Sequence, residues 1–232
     1  MVESVIIDSG VEALRNCNVV DYLGGYKTNN DRVAGLARRV ARLVPGVEVR
    51  AVPSDYPDDY CPGRWRGNVE RTLASIMDAL ERHSDIDWAI PVQGKWMRPA
   101  SIIRSLELYT SAGLRLEGRL VAIANLCVNR DCKTITETLR LAHGWLLRHG
   151  LRHRVRVHVF GPAASCIRRA KQYIDSWDST AWTRPRSPGG SSAWNGSERV
   201  YLFLSFIHRY ADLIDLPALP RSMRERLAGV RV

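Results

Sequence analysis

Residues 120–148 read LVAIANLCVNRDCKTITETLRLAHGWLLR, and this one stretch sets the fold class. Residues 120–126 form a short apolar run of the length of a buried strand. Thr134, Ile135, Thr136 and Glu137 then read as a capping box, and the helix they open gathers Ile135, Leu139, Ala142 and Leu146 on one side. A strand followed by such a helix is a βα unit, and units of this kind repeated along a chain build a parallel sheet.

The same alternation extends in both directions. Upstream, Val5, Ile6 and Ile7 make a strand ending at Asp8, and Val33, Leu36, Ala37, Val40 and Leu43 fall on one helical face. Residues 47–52 form the next strand, and Asn68 is placed as the N-cap of a helix with Val69, Leu73, Ile76, Met77 and Leu80 on one face. Residues 88–92 form a third strand, and Pro99 opens a helix that turns Ile102, Ile103 and Leu106 inward. Downstream, residues 154–160 alternate basic with apolar as a strand does, a helix runs over about 163–174, and a short segment spans 177–182. Six strand-like segments each precede a helix, so the class is α/β. A (β/α) barrel of TIM type and a doubly wound sheet both fit this pattern.

No boundary splits the first 182 residues. Residues 183–199, TRPRSPGGSSAWNGSER, have no period and read as a flexible Pro/Gly/Ser loop. Residues 200–218 are expected as a closing helix of the same domain, with Val200, Leu204, Ile207, Ala211 and Ile214 on its apolar side. Residues 219–232 read as a basic tail.

The chain of 232 residues carries 34 basic against 24 acidic side chains, a formal net charge of +10. Only four of the basic residues, Lys27, Lys95, Lys133 and Lys171, are lysines. Guanidinium groups fork onto phosphate oxygens and stack on bases, so the excess points to a polyanion such as DNA or RNA. Arginine-rich usage also follows from the base composition of a genome. The longest apolar runs, such as 200–207, fall short of the roughly 18 to 20 residues that span a bilayer, which argues against a membrane partner. The N-terminus, MVESVIIDSG, lacks the basic start and long apolar stretch of a secretory signal, so a cytoplasmic location is expected. Cys17, Cys61, Cys127, Cys132 and Cys166 show no Cys-x-x-Cys pair, so neither a structural zinc nor a disulfide framework is expected.

In parallel α/β folds the functional groups collect at the C-terminal ends of the strands, because the loops there open onto one face. Asp8, Asp55, Gln93, Asn125, the 158–161 stretch and Asp178 all occupy such ends. Each has a plainer reading: Asp8 as a turn former, Asp55 in a solvated acidic loop, Gln93-Gly94 as a turn, Asp175 and Asp178 as helix caps, His158 as a satisfied wall histidine. Their shared position distinguishes them.

In chain order, IDSG (7–10), SDYP (54–57), PVQG (91–94), ANLCV (124–128), VHVFG (157–161) and WDSTAWTR (177–184) resemble the tRNA-guanine transglycosylase superfamily. The closest look is to its DNA-modifying, DpdA-type 7-deazaguanine branch. The resemblance covers about residues 6–186. It implies a (β/α)8 barrel that swaps guanine in a nucleic acid for a 7-deazapurine such as preQ0, with no cofactor. It further implies Asp178 as nucleophile and Asp8 as general acid/base, with Asp55, Gln93 and Gly94 reading the base. The backbone at Asn125 and Leu126 would complete the pocket, Val159 and Phe160 would pack on the base's face, and Arg184 and Arg186 would lie near phosphates. Such chemistry needs a carboxylate to attack the anomeric carbon through an oxocarbenium-like transition state, and a second acid/base for the base's proton.

The sequence departs from the family in three places. The family usually has two further βα units before the DSG strand, so a reduced barrel of six units is expected, completed by a homodimer, a partner subunit or a rearrangement, or left incomplete. The zinc subdomain is missing, with the 183–199 loop in its place. DSGG becomes DSGV at Val11, and the glycine-rich turn becomes ANLCV. A transglycosylase acting on DNA, with tRNA as the second substrate class, is the first reading. Its rivals are a non-catalytic nucleic-acid-binding or accessory subunit on the same scaffold, and a TIM-barrel enzyme on a small phosphorylated metabolite, which would not need the +10 charge.

Overall fold

A computed structural model describes residues 4–11, 14, 21–57, 67–95, 97–124, 126–127 and 131–178. The expected loop at 183–199, the helix at 200–218, the tail at 219–232, and Asn125, Arg184 and Arg186 lie outside them.

The strands are β1 (Ser4–Ile7), β2 (Glu48–Ala51), β3 (Asp87–Trp88), β4 (Ile90–Val92), β5 (Leu120–Ile123), β6 (Arg156–Val159) and β7 (Ser176–Trp177). All pair in parallel and in chain order, β1-β2-β3 in one ladder and β4-β5-β6-β7 in the next. β3 and β4 are one continuous stretch interrupted at Ala89, whose N–H still donates to the Ala51 carbonyl at 2.8 Å. That residue hands the chain from β2 on one side to β5 on the other. The expected third strand is therefore present, shared between two ladders.

The connecting helices are α1 (Gly25–Leu43), α2 (Asn68–Arg82), α3 (Ser101–Ser111), α4 (Cys132–Arg148) and α5 (Ala164–Ala170), the last followed by a 3₁₀ turn at Lys171–Tyr173. Strand period decides the two faces of the sheet. Ile90, Val92, Val121, Ile123, Val157 and Val159 pack against Ile76, Ile102, Leu106, Leu139 and Leu146 of the helices. Ile6, Val52, Ala89, Leu120, Ala122 and Phe160 meet on the opposite face. The sheet is curled enough for its two flanks to meet there: Ile6 of β1 joins one cluster with Phe160, and Glu48 of β2 lies 3.6 Å from Arg156 of β6. Among the described residues no ladder joins β7 to β1.

Several local expectations are corrected. α4 starts at Cys132, capped by Asp131, whose carboxylate accepts from the Lys133 and Thr134 N–H groups at 3.1 and 3.2 Å. Thr134 is thus inside the helix and is no cap. Asn68 is the first residue of α2, behind Gly67 in the left-handed region, and its buried amide donates to the Pro57 carbonyl at 2.9 Å. In α1 the buried apolar side chains are the smaller ones, Val33, Ala34 and Ala37, while Leu36 and Leu43 are exposed. On α2, Met77 is likewise exposed. Cys132 and Cys166 form a disulfide between α4 and α5, with Cα atoms 4.8 Å apart. The two cysteines are 34 residues apart in sequence, so spacing gave no sign of the pair. No helix among the described residues is long and apolar enough to cross a membrane.

Candidate active site

The loop after β1 carries Asp8, Ser9 and Gly10. Asp8 is exposed, and its Oδ1 accepts from the Ser9 hydroxyl and the Gly10 N–H, each at 3.2 Å. It therefore forms the turn that its local sequence suggests and also points a carboxylate into a pocket. Ser9 is buried and donates to Asp55 Oδ1 at 2.6 Å, linking the ends of β1 and β2.

Asp55 is 3% exposed, so it is not part of a solvated acidic loop. Its Oδ2 accepts from the Gln93 amide, which extends the link to the end of β4. The Tyr22 hydroxyl donates to the Asp55 carbonyl at 2.9 Å and accepts from the Asp55 N–H at 3.2 Å. Burial pushes the Asp55 carboxyl up to about 7, Asp8 nearby adds to the rise, and the hydrogen bonds from Ser9 and Gln93 work against it. Burial, then the Asp55 charge, also raises the Tyr22 phenol. Gln93 Oε1 is buried with no hydrogen-bond partner among the described residues. Gly94 follows where a Cβ would come within 2.9 Å of Ser101 Oγ and 3.1 Å of the Ile102 nitrogen, so the chain passes too close to α3 for a side chain.

On the far flank, Asp178 follows β7. Its N–H donates to the Val159 carbonyl at 3.2 Å, and its Oδ1 accepts from the Gly161 N–H at 2.7 Å. Asp175 is no helix cap: it precedes β7, where its carboxylate accepts from the Val157 N–H at 2.7 Å and pairs with Arg152 at 3.0 Å. A pocket of about 390 Å³ is lined by Ser4, Ile6 and Asp8 on one side and by His158, Phe160, Ser176, Trp177 and Asp178 on the other. Such a volume lies within the range of about 300–1,000 Å³ common for small-ligand sites.

The structure thus brings Asp8, Asp55 and Gln93 into one hydrogen-bonded chain through Ser9, and sets Asp8 and Asp178 on one pocket. Phe160 lines that pocket. Val159 does not: its side chain belongs to the helix-facing core, as the alternation of a strand requires when its neighbour faces the other way. The Leu126 side chain also packs in that core. Among the described residues no group of three or more His, Cys, Asp or Glu side chains is gathered as a metal site.

Further residues build the site from behind. Asn29, buried on α1, donates to the Ser9 carbonyl at 3.0 Å and to Ser54 Oγ at 2.8 Å. Asn30 accepts from the Ser54 N–H at 2.9 Å and donates to the Ser75 carbonyl at 3.1 Å. Tyr56 donates to Asp21 at 2.6 Å, with the Arg71 guanidinium 3.8 Å above its ring and 3.1 Å from Asp21. Of these, Asn29 and Asn30 stand on α1 and not at a strand end. Two adjacent carboxamides, polar interruptions on the apolar side of α1, are the one sign that the sequence offers of this support.

No protein-family model and no curated protein matches this chain. Among solved structures, a family 18 chitinase from Crocus vernus aligns with 12% identity and a TM-score of 0.44. The alignment covers 70% of this chain and 66% of the chitinase, just under two thirds of its length.

Proposed function

We propose that this protein is a transglycosylase that replaces guanine in a nucleic acid, DNA in preference to tRNA, with a 7-deazapurine such as preQ0. The observation that carries the reading is the pair of carboxylates, Asp8 and Asp178, on opposite walls of one pocket, with Asp8 tied through Ser9 to the buried Asp55–Gln93 pair. Two carboxyl groups flanking a space of this kind are what displacement at an anomeric carbon requires.

Asp178 attacks C1′ of the target nucleotide as the bond from C1′ to the guanine nitrogen breaks, and Asp8 gives the departing base its proton. The sugar is then held as an aspartyl ester. The incoming deazapurine surrenders its N–H proton to Asp8 and attacks C1′, which releases Asp178. Asp55, whose carboxyl burial pushes up to about 7, and Gln93, whose Oε1 is unpartnered among the described residues, stand behind Asp8 as the groups that read the purine edge. The target nucleotide must leave its stack to reach such a pocket. The net charge of +10 suits a phosphate backbone. In this reading the curled sheet belongs to a barrel of the TIM type.

The test is incorporation of isotope-labelled guanine and preQ0 into duplex DNA, single-stranded DNA and tRNA by the wild type and Asp178→Ala. Label should enter one polymer with the wild type and none with the variant. Salt-sensitive nucleic-acid binding with no incorporation would replace the reading with that of an accessory subunit.

A further inference from the structure

His158 stands on β6 with its side chain on the sheet face that lines the pocket, and it is 4% exposed. Nδ1 lies 2.9 Å from Ser176 Oγ, which belongs to its directly paired residue on β7. The ring meets Phe160 edge-on, with centroids 4.7 Å apart and planes at 72°. One ring nitrogen and one side of the ring are therefore accounted for. The remaining nitrogen, Nε2, is buried and has no hydrogen-bond partner among the described residues. Asp178 Oδ1 lies 3.8 Å from it, beyond hydrogen-bond length but within reach of a small side-chain rotation. Of the buried side-chain atoms left without a partner among the described residues, this one faces a carboxylate of the pocket.

We propose that His158 is a positioning residue for Asp178. The Ser176 hydroxyl donates to Nδ1, which places the ring hydrogen on Nε2 and makes that nitrogen a donor. The Nε2–H then engages Asp178 Oδ1 when the pocket is filled. Oδ1 already accepts from the Gly161 N–H, so two donors hold one carboxylate oxygen and leave Oδ2 as the atom that attacks the sugar. The role rests on the reading of Asp178 as the nucleophile. It separates His158 from Asp55 and Gln93, which act on the base.

Two amide substitutions distinguish this from wall packing. In His158→Gln the amide nitrogen can sit where Nε2 does, and in His158→Asn it can sit only where Nδ1 does. Asn should lower kcat for base exchange by about 10–100-fold, the loss expected of one charge-assisted hydrogen bond, with KM for the nucleic acid unchanged. Gln should restore kcat to within about threefold of the wild type by keeping that same bond. Equal kcat values in the two folded variants would overturn the proposal.

A measurement independent of turnover accompanies them. Imidazole ¹⁵N shifts of the full chain should show His158 as the Nε2–H tautomer, with an Nε2 resonance that moves on Asp178→Asn. An Nδ1–H tautomer indifferent to that substitution would overturn the coupling, also where a His158 variant fails to fold. Absence of wild-type exchange on every polymer would sink the transglycosylase reading instead, and the ¹⁵N result would still decide whether His158 holds Asp178.

Discussion

Gly161→Ala should be among the most damaging single-methyl additions to this protein. The residue has a φ of +70°, and a Cβ placed there would overlap Cys127 Cβ and lie 3.2 Å from Cys127 Cα. The left-handed backbone costs an L-residue about 1–2 kcal/mol, and forcing a methyl into filled space adds about 1–3 kcal/mol. The expected loss is about 2–5 kcal/mol, or about 4–20 °C in Tm for a chain of this size. Gly150→Ala supplies the control: its φ is +67°, yet nothing lies within 4 Å of the new methyl. It should lose only the backbone cost of about 1–2 kcal/mol. Urea unfolding followed by tryptophan fluorescence measures both, and an unchanged m-value would show that the denatured states are comparable. Equal losses in the two variants would refute the argument that Cys127 crowds Gly161. Because the Gly161 N–H is the backbone donor to Asp178, base exchange in Gly161→Ala should fall further than the folded fraction does.

Folded Asp55 holds its proton up to about 7 against an ordinary value of 3.8, so between these values the folded state binds more protons than the unfolded one. Stability therefore falls as pH rises from about 4 to about 7 on account of this group, and Asp55→Asn should gain on the wild type across that range. Parallel urea midpoints from pH 4 to 8 would contradict this. Asn30→Ala strips partners from the buried Ser54 N–H and from Ser75, and should cost about 2–4 kcal/mol by chemical denaturation. Reducing the Cys132–Cys166 disulfide, which closes a separation of 34 residues, should lower stability by about 2–4 kcal/mol, while Cys132→Ser should not respond to reductant. Nucleic-acid affinity should fall steeply with salt as phosphate contacts are screened, and filter binding between 50 and 200 mM salt reads this directly.

The strands were legible because a strand buried on both faces needs apolar residues throughout, and residues 120–123 are such a run. α4 was legible through its period, though its start was read late: Asp131 and Thr134 are both competent caps, and the geometry of the entering chain chose the former. The exposed Leu36 and Leu43 show the limit of a helical stripe, since periodicity finds the apolar side of α1 without saying which part of it the sheet covers. Strand-end position singled out Asp8, Asp55, Gln93 and Asp178, which the structure places at the ends of β1, β2, β4 and β7. It could not find Tyr22 or Asn29, which reach the site from α1 and the segment before it. The plainer reading of His158 as a satisfied wall histidine could not see its open Nε2, because a lone histidine in a strand looks the same whether both of its nitrogens are met or one is left open. Val159 was carried along with Phe160 by adjacency, where a period of two separates them.

Ser54 is gripped twice by adjacent residues of one helix, its hydroxyl by Asn29 and its N–H by Asn30, while Asn29 also holds the Ser9 carbonyl. The loops after β1 and β2 are thereby both tied to α1. On the opposite flank the Asp178 carboxylate is held by the Gly161 amide. Each wall thus fixes its carboxylate by a different means, one through a helix and the other through the backbone of the next loop.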